Sequence, residues 1–225
     1  MTRQLAFDLP ATEAFSAAAF HRSPANAAAL AALADWQHWP GGKMLIVGPT
    51  GAGKTHLAHI WCTMTGAERV EGSALTGTDL PDLARFGAVC VENAHLVAGN
   101  PPLETALFHL HNLALPQGRL MLTATSAPRD WGLGLPDLLS RMQSAALTRL
   151  EAPDDALLAA VLAKLFSDRQ ITPPPNLIPY LLPRMFRSIA SARDLVAALD
   201  ARALAQNRPV TRALAAELLD PAATT

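Results

Sequence analysis

Short, uniformly apolar runs alternate with helix-like stretches as far as Leu150. Met44 to Val47 is apolar throughout and closes on Gly48 and Pro49, which predicts a buried strand. Ala88 to Val91 and Leu120 to Thr123 have the same texture, and Arg69 to Val70 and Ala145 to Leu150 predict two more strands. Between them, Lys54 to Met64 reads as a helix, as does Leu103 to Leu115, which Pro101 and Pro102 introduce. Upstream, SPANAAALAALADW predicts an alanine-rich helix with Ser23 as its cap and Pro24 near its first position, stopped by Pro40, Gly41 and Gly42. Buried strands alternating with helices predict a parallel sheet covered on both faces.

The texture changes after Pro153. Leu157, Leu158, Val161, Leu162, Leu165 and Phe166 fall on one helical stripe, and Leu177 to Leu182, Ala192 to Gln206 and Thr211 to Leu219 also follow helical spacing. No strand-like run remains. The expected organisation is a short tail over 1–12, an α/β base over 13–152 and a small all-helical lid over 153–225, with no internal repeat.

Composition narrows the function. The 225 residues are 50% hydrophobic and 16% charged, enough apolar surface for a real core and against general disorder. A net charge of -1 gives no basic footprint, which argues against direct specific nucleic-acid binding and against an anionic membrane surface. No uncharged run approaches the roughly 18 residues of a membrane span, and the start has no leader pattern, so a soluble cytoplasmic protein is expected. Cys62 and Cys90 both lie in apolar runs and read as reduced interior thiols.

The segment Gly48, Pro49, Thr50, Gly51, Ala52, Gly53, Lys54, Thr55 matches G-x-x-x-x-G-K-[ST], after a strand and before a helix. Glycines let backbone N–H groups close around phosphate oxygens. Lys54 neutralises β/γ charge, the Thr55 hydroxyl serves Mg²⁺, and the helix adds its positive dipole end. A glycine-rich turn with an exposed lysine is the alternative. Such a site also needs an acid at the end of a neighbouring strand, and Glu92 follows the run AVCV. Glu92 can serve the metal shell. Where motor ATPases present a second acid as general base, this chain has Asn93, which cannot accept a proton, so weak intrinsic hydrolysis is expected.

Two arginines and a hydroxyl complete the candidates. In Ser191-Ala192-Arg193-Asp194, Ser191 caps a helix and Asp194 completes a capping box, placing Arg193 in the first turn; a nucleotide phosphate, Asp194 or solvent then balances its charge. Arg141 precedes the last strand and so stands at one rim of the sheet, either solvated or aimed at a neighbour's phosphate. Thr123, Thr125 and Ser126 close a strand at the edge where open parallel sheets bind ligands. His56, His59, His95, His109 and His111 show no metal spacing and read as ordinary surface or helix residues.

Taken together, GPTGAGKTHLAHIW, VENAH, LTATSAP, LLSRM and SARDLVAAL resemble, in order and spacing, the AAA+ module of the replication initiator DnaA, over roughly Phe20 to Leu219. The resemblance implies a P-loop NTPase (AAA+) sheet with a helical lid and bound ADP or ATP with Mg²⁺. It makes Arg141 an arginine finger, Arg193 a second sensor and Thr125 a first sensor, and sets SPANAAAL near the base of the nucleotide. The chain ends near the last lid helix, without the helix-turn-helix domain of an initiator, and has little room between Val70 and Ala88 for the single-strand-binding helix. It is therefore similar to the DnaA-related AAA+ proteins of the Hda type, which provoke hydrolysis of DnaA-bound ATP. Gln4-Leu5-Ala6-Phe7-Asp8-Leu9 resembles their peptide for the β sliding clamp, with Leu5, Phe7 and Leu9 filling apolar pockets and Gln4 fixing register.

The expected function is thus a negative regulator of replication initiation. ADP bound at Lys54 and Thr55 gates it, the clamp tethers it through Gln4 to Leu9, and Arg141 acts in trans on DnaA. A homo-oligomer is compatible. The alternatives are an ATP-driven loader or remodeller, which needs a competent acidic pair, and a DnaA-like DNA-binding factor, which the charge disfavours.

Overall fold

The computed structural model describes residues 23–116 and 118–219; the Gln4–Leu9 segment lies outside them. Five strands, β1 (Lys43–Val47), β2 (Glu68–Glu71), β3 (Ala88–Glu92), β4 (Arg119–Ala124) and β5 (Ala146–Arg149), form one sheet in the order β2-β3-β4-β1-β5. Every pairing is parallel. β1, between β4 and β5, is buried at all five positions, which is why its sequence carries no polar alternation.

Nine α-helices accompany the described strands: α1 (Ala27–Ala34), α2 (Lys54–Thr65), α3 (Leu80–Ala84), α4 (Pro101–Ala114), α5 (Pro136–Gln143), α6 (Asp155–Asp168), α7 (Leu177–Leu181), α8 (Ile189–Gln206) and α9 (Arg212–Leu219). Strand periodicity divides them. Met44 and Ile46 pack with Ala29 and Leu33 of α1 and Leu57 and Trp61 of α2. Leu45 and Val47 point the other way, into a core with Leu83 of α3, Leu107 of α4 and Leu138 of α5. The sheet is therefore covered on both faces, as its sequence predicts. After β5 the described chain is helical, and Leu162, Phe166, Leu177, Leu181, Val196, Leu199 and Leu214 make a separate core. None of the described helices is long and apolar enough to cross a membrane.

Three local readings change. Helix α1 begins at Ala27, not at Pro24: the Asn26 side chain accepts from the Ser23 N–H at 3.0 Å, which holds 23–26 in a turn. The helix also ends at Ala34, and 3-10 turns at Trp36–His38 and Pro40–Gly42 carry the chain into β1. Helix α8 is capped by Ser188, whose hydroxyl accepts from the Ser191 N–H at 2.9 Å, so it starts at Ile189 and Ser191 is inside it. Arg193 thus stands in the second turn, where the helix dipole opposes a cation far less.

Glu104, only 3% exposed, is a fixed point of the α4 side. Its carboxylate accepts from the Gly99 N–H (3.1 Å), the Gly134 N–H (3.1 Å) and the Leu135 N–H (2.8 Å), tying the entry of α5 to α4. Glu104→Ala strands these donors in a buried place and should lower unfolding free energy by about 3 kcal/mol, measured by urea denaturation. Glu104→Gln keeps an acceptor and should lose less than half as much.

Candidate functional site

The phosphate loop grows directly out of β1. The Gly48 N–H donates to the Ala124 carbonyl of β4 at 3.2 Å, so the loop leaves the sheet at its carboxyl edge. Gly53, at φ 106, takes a left-handed turn into α2 that a side chain would resist. It provides α2 with no side-chain cap, so the first-turn N–H groups point at the loop without one. Lys54 is 7% exposed, and its ammonium donates to the carbonyls of Gly48 (2.8 Å) and Pro49 (2.9 Å). Burial lowers its pKa and the nearby Glu92 charge opposes that shift. Two of its three donors hold the loop in shape, and the third suits a phosphate oxygen. Thr55 is exposed at the second position of α2.

The helical part touches this loop. The Ile189 N–H, first in α8, donates to the Gly51 carbonyl at 2.8 Å. Gly51 has φ +77, and a Cβ on it would stand 2.3 Å from the Ser188 Cβ. Glycine here permits both the turn and the close approach of the cap of α8. Arg193 lies four residues past Ile189, about 6 Å along the helix axis. The contact of the α8 terminus with Gly51 thus puts Arg193 about one helical turn along α8 from the residue that touches the phosphate loop. Near the loop's other side, the Glu151 N–H donates to the Ala25 carbonyl at 3.2 Å, fixing the Ser23–Asn26 turn beside the end of β5.

At the ends of β3 and β4 the candidates rearrange. Glu92 is 4% exposed and forms an ion pair with the Arg69 guanidinium of β2. Asn93 has φ 49; its N–H donates to the Thr123 hydroxyl at 3.0 Å and its side-chain amide to Glu71 at 2.7 Å. Asn93 is therefore a linking residue, with no basic group to offer a water. Thr123, 1% exposed, is the hydroxyl that joins β4 to this turn, while Thr125 sits exposed just beyond the strand. His95 is half-buried, and its pKa is lowered by burial and by the Lys54 charge, with Glu71 opposing. His95 thus lies within the field of Lys54, which its sequence spacing did not reveal. For Mg²⁺ the residues fit only in part: Thr55 is accessible, but Glu92 is engaged by Arg69.

Arg141 lies at the opposite end of the sheet. It is in the last turn of α5, and its carbonyl accepts from the ammonium of Lys43, the first residue of β1, at 2.7 Å. Its guanidinium carbon stands 4.7 Å from the centroid of the Phe108 ring, a cation–π contact. Lys43, 6% exposed, also lies 3.1 Å from His111 Nε2, and Arg141 Nη1 lies 3.4 Å from His111 Nδ1. His111 is thus a buried helix residue between two cations, not an ordinary surface one. Burial first, then Lys43, push its pKa down to about 4, and neutral imidazole has one acceptor nitrogen for these two cations. Both cysteines carry free thiols, Cys90 buried and Cys62 half-buried.

Two tests follow from this geometry. Gly51→Ala should displace the start of α8 and lower stability by about 1 to 3 kcal/mol, and adding Ser188→Gly should restore part of the loss, read as a coupling in thermal unfolding. His111 takes up a proton at about 6.5 when unfolded and only at about 4 when folded. Its contribution is therefore complete above pH 6.5 and lost as pH falls toward 4, on the order of 3 kcal/mol. Urea titrations across that window should show the fall, and His111→Gln should lack this part of it.

No protein-family model matches the chain. Solved structures do resemble it. Domain III of the Thermotoga maritima replication initiation protein DnaA aligns over 95% of this chain and 98% of its own length, with TM-score 0.79 and 20% identity. AMPPCP-bound DnaA from Aquifex aeolicus aligns over 80% of this chain and 63% of its own, with TM-score 0.68 and 15% identity. A RuvB variant from Thermotoga maritima aligns over 88% and 68%, with TM-score 0.64 and 17% identity. The fold is that of an AAA+ P-loop NTPase: a five-stranded parallel sheet bearing the phosphate loop, followed by helices.

Proposed function

We propose that this chain is an adenine-nucleotide-binding AAA+ regulator that restrains replication initiation by completing the ATPase site of DnaA in trans. Bound ADP joins the phosphate loop to α8 through Lys54, Thr55 and Arg193, and so sets the relation of base to lid. Arg141 supplies the planar donors that stabilise charge on the partner's transferring phosphate. Gln4, Leu5, Phe7 and Leu9 dock on the β sliding clamp, which brings to DNA a chain whose net charge is -1.

The observation that carries this reading is the position of Arg141. The phosphate loop starts where β1 ends, and Arg141 is bonded to the residue where β1 begins. Five strand residues separate the two by about 16 Å. An arginine there stands well away from the phosphate loop of its own chain, as a finger that acts on a neighbour's nucleotide would, and it would exchange its contact with Phe108 for that phosphate. Asn93 agrees with it: its amide is spent on Glu71, and it supplies no general base at the position after Glu92. The AMPPCP-bound DnaA structures support an adenine nucleotide as the ligand.

Reconstitution with ATP-bound DnaA and clamp loaded on DNA tests the proposal. Arg141→Ala should reduce stimulated hydrolysis by at least about a hundredfold with nucleotide affinity unchanged and only a small fall in thermal midpoint from the lost Phe108 contact; undiminished stimulation would remove the trans finger. Gln4→Ala should abolish clamp pull-down and leave nucleotide affinity alone. The purified chain without DnaA should turn over ATP far below the rate of an AAA+ motor, and motor-like turnover would favour the loader reading.

A further inference from the structure

The carboxylate expected in a Mg²⁺ shell is committed elsewhere. Glu92 pairs in register with Glu71, and Arg69 lies two positions back along β2. Strand alternation puts Arg69, Glu71, Cys90 and Glu92 on one face of the sheet, the face that carries α2 and Lys54. On that face the Arg69 guanidinium pairs with Glu92, whose side chain is 5% exposed. The other carboxylate at this edge, Glu71, accepts from the Asn93 amide. Both acids near the phosphate loop are thus satisfied by protein donors.

A metal competes poorly for Glu92 in this setting. Mg²⁺ dehydrates reluctantly and keeps several waters, so to use Glu92 it would have to displace or share a carboxylate already held by a guanidinium. Arg69 instead offers a charged, planar donor directly, and a buried carboxylate stripped of such a partner is left uncompensated. Beside Arg193 of α8, a diphosphate would then meet the Lys54 ammonium and the α2 N-terminus, and the loop carbonyls hold Lys54 in place without a metal.

Resting on the nucleotide-binding reading above, we propose that Arg69 takes Glu92 out of the metal shell, so that the phosphate loop binds a nucleoside diphosphate without needing a divalent cation. The probe is methylanthraniloyl-ADP, titrated by fluorescence in excess Mg²⁺ and in EDTA. The two dissociation constants should agree within about threefold, and a larger loss in EDTA overturns the proposal. Arg69→Met releases Glu92 and should create a Mg²⁺ dependence of about tenfold or more. Arg69→Met combined with Glu92→Gln removes both charges, folds without a stranded ion, and should abolish that dependence again. If Arg69→Met binds alike in both buffers, the pair does not govern metal use and the idea is wrong. Absence of binding in either buffer sinks the nucleotide reading itself, a result distinct from binding in Mg²⁺ alone.

Discussion

The parallel ladder that clamps β1 between β4 and β5 is the constraint on which both candidate sites depend. Met44 to Val47 are in register with both neighbours, and the strand is buried along its whole length. Its end releases the phosphate loop at the edge where open sheets bind ligands, and its start holds Lys43 against the carbonyl of Arg141. A strand buried on both faces cannot slip by one residue without turning every side chain to the wrong core. The separation of phosphate loop from arginine is therefore as rigid as the sheet.

Charge is used sparingly, and where it is buried it is compensated in one of two ways. Among the described residues the buried charged side chains are Lys43, Lys54, Glu92 and Glu104. Glu104 is compensated by backbone N–H groups and Glu92 by a guanidinium, so neither reaches out for a ligand. The two lysines are satisfied by carbonyl oxygens, with His111 beside Lys43, and so keep net positive charge in a dry setting. That asymmetry leaves positive charge at both ends of β1.

Much of the scaffold was legible in the residues. Buried strands in a doubly covered sheet must be uniformly apolar, and helices must show a stripe, so β1, β3, β4, α2, α4 and α6 stand out by pattern alone. The phosphate loop was legible because its chemistry requires specific residues at adjacent positions. What escaped was set by contacts between distant segments. The sequence pointed to Ser191 as the cap, but the cap is Ser188, whose neighbour Ile189 bonds to Gly51. His111 looks like any helix histidine until β1 and α5 bring Lys43 and Arg141 to its two nitrogens. Arg69 sits in a short half-exposed strand that carries no motif, and only the register of β2 on β3 sets it against Glu92.

The sequence by itself determined the class of fold and the presence of a phosphate loop, because periodicity and a contiguous motif are local properties of the chain. The tertiary structure decided which charged groups meet. It engaged Glu92 with Arg69, joined Asn93 to Glu71 and Thr123, and set Arg141 at the far end of β1 from Lys54. Side-chain electrostatics acts over a few ångströms in space, and no spacing along the chain records which residues parallel pairing will bring that close.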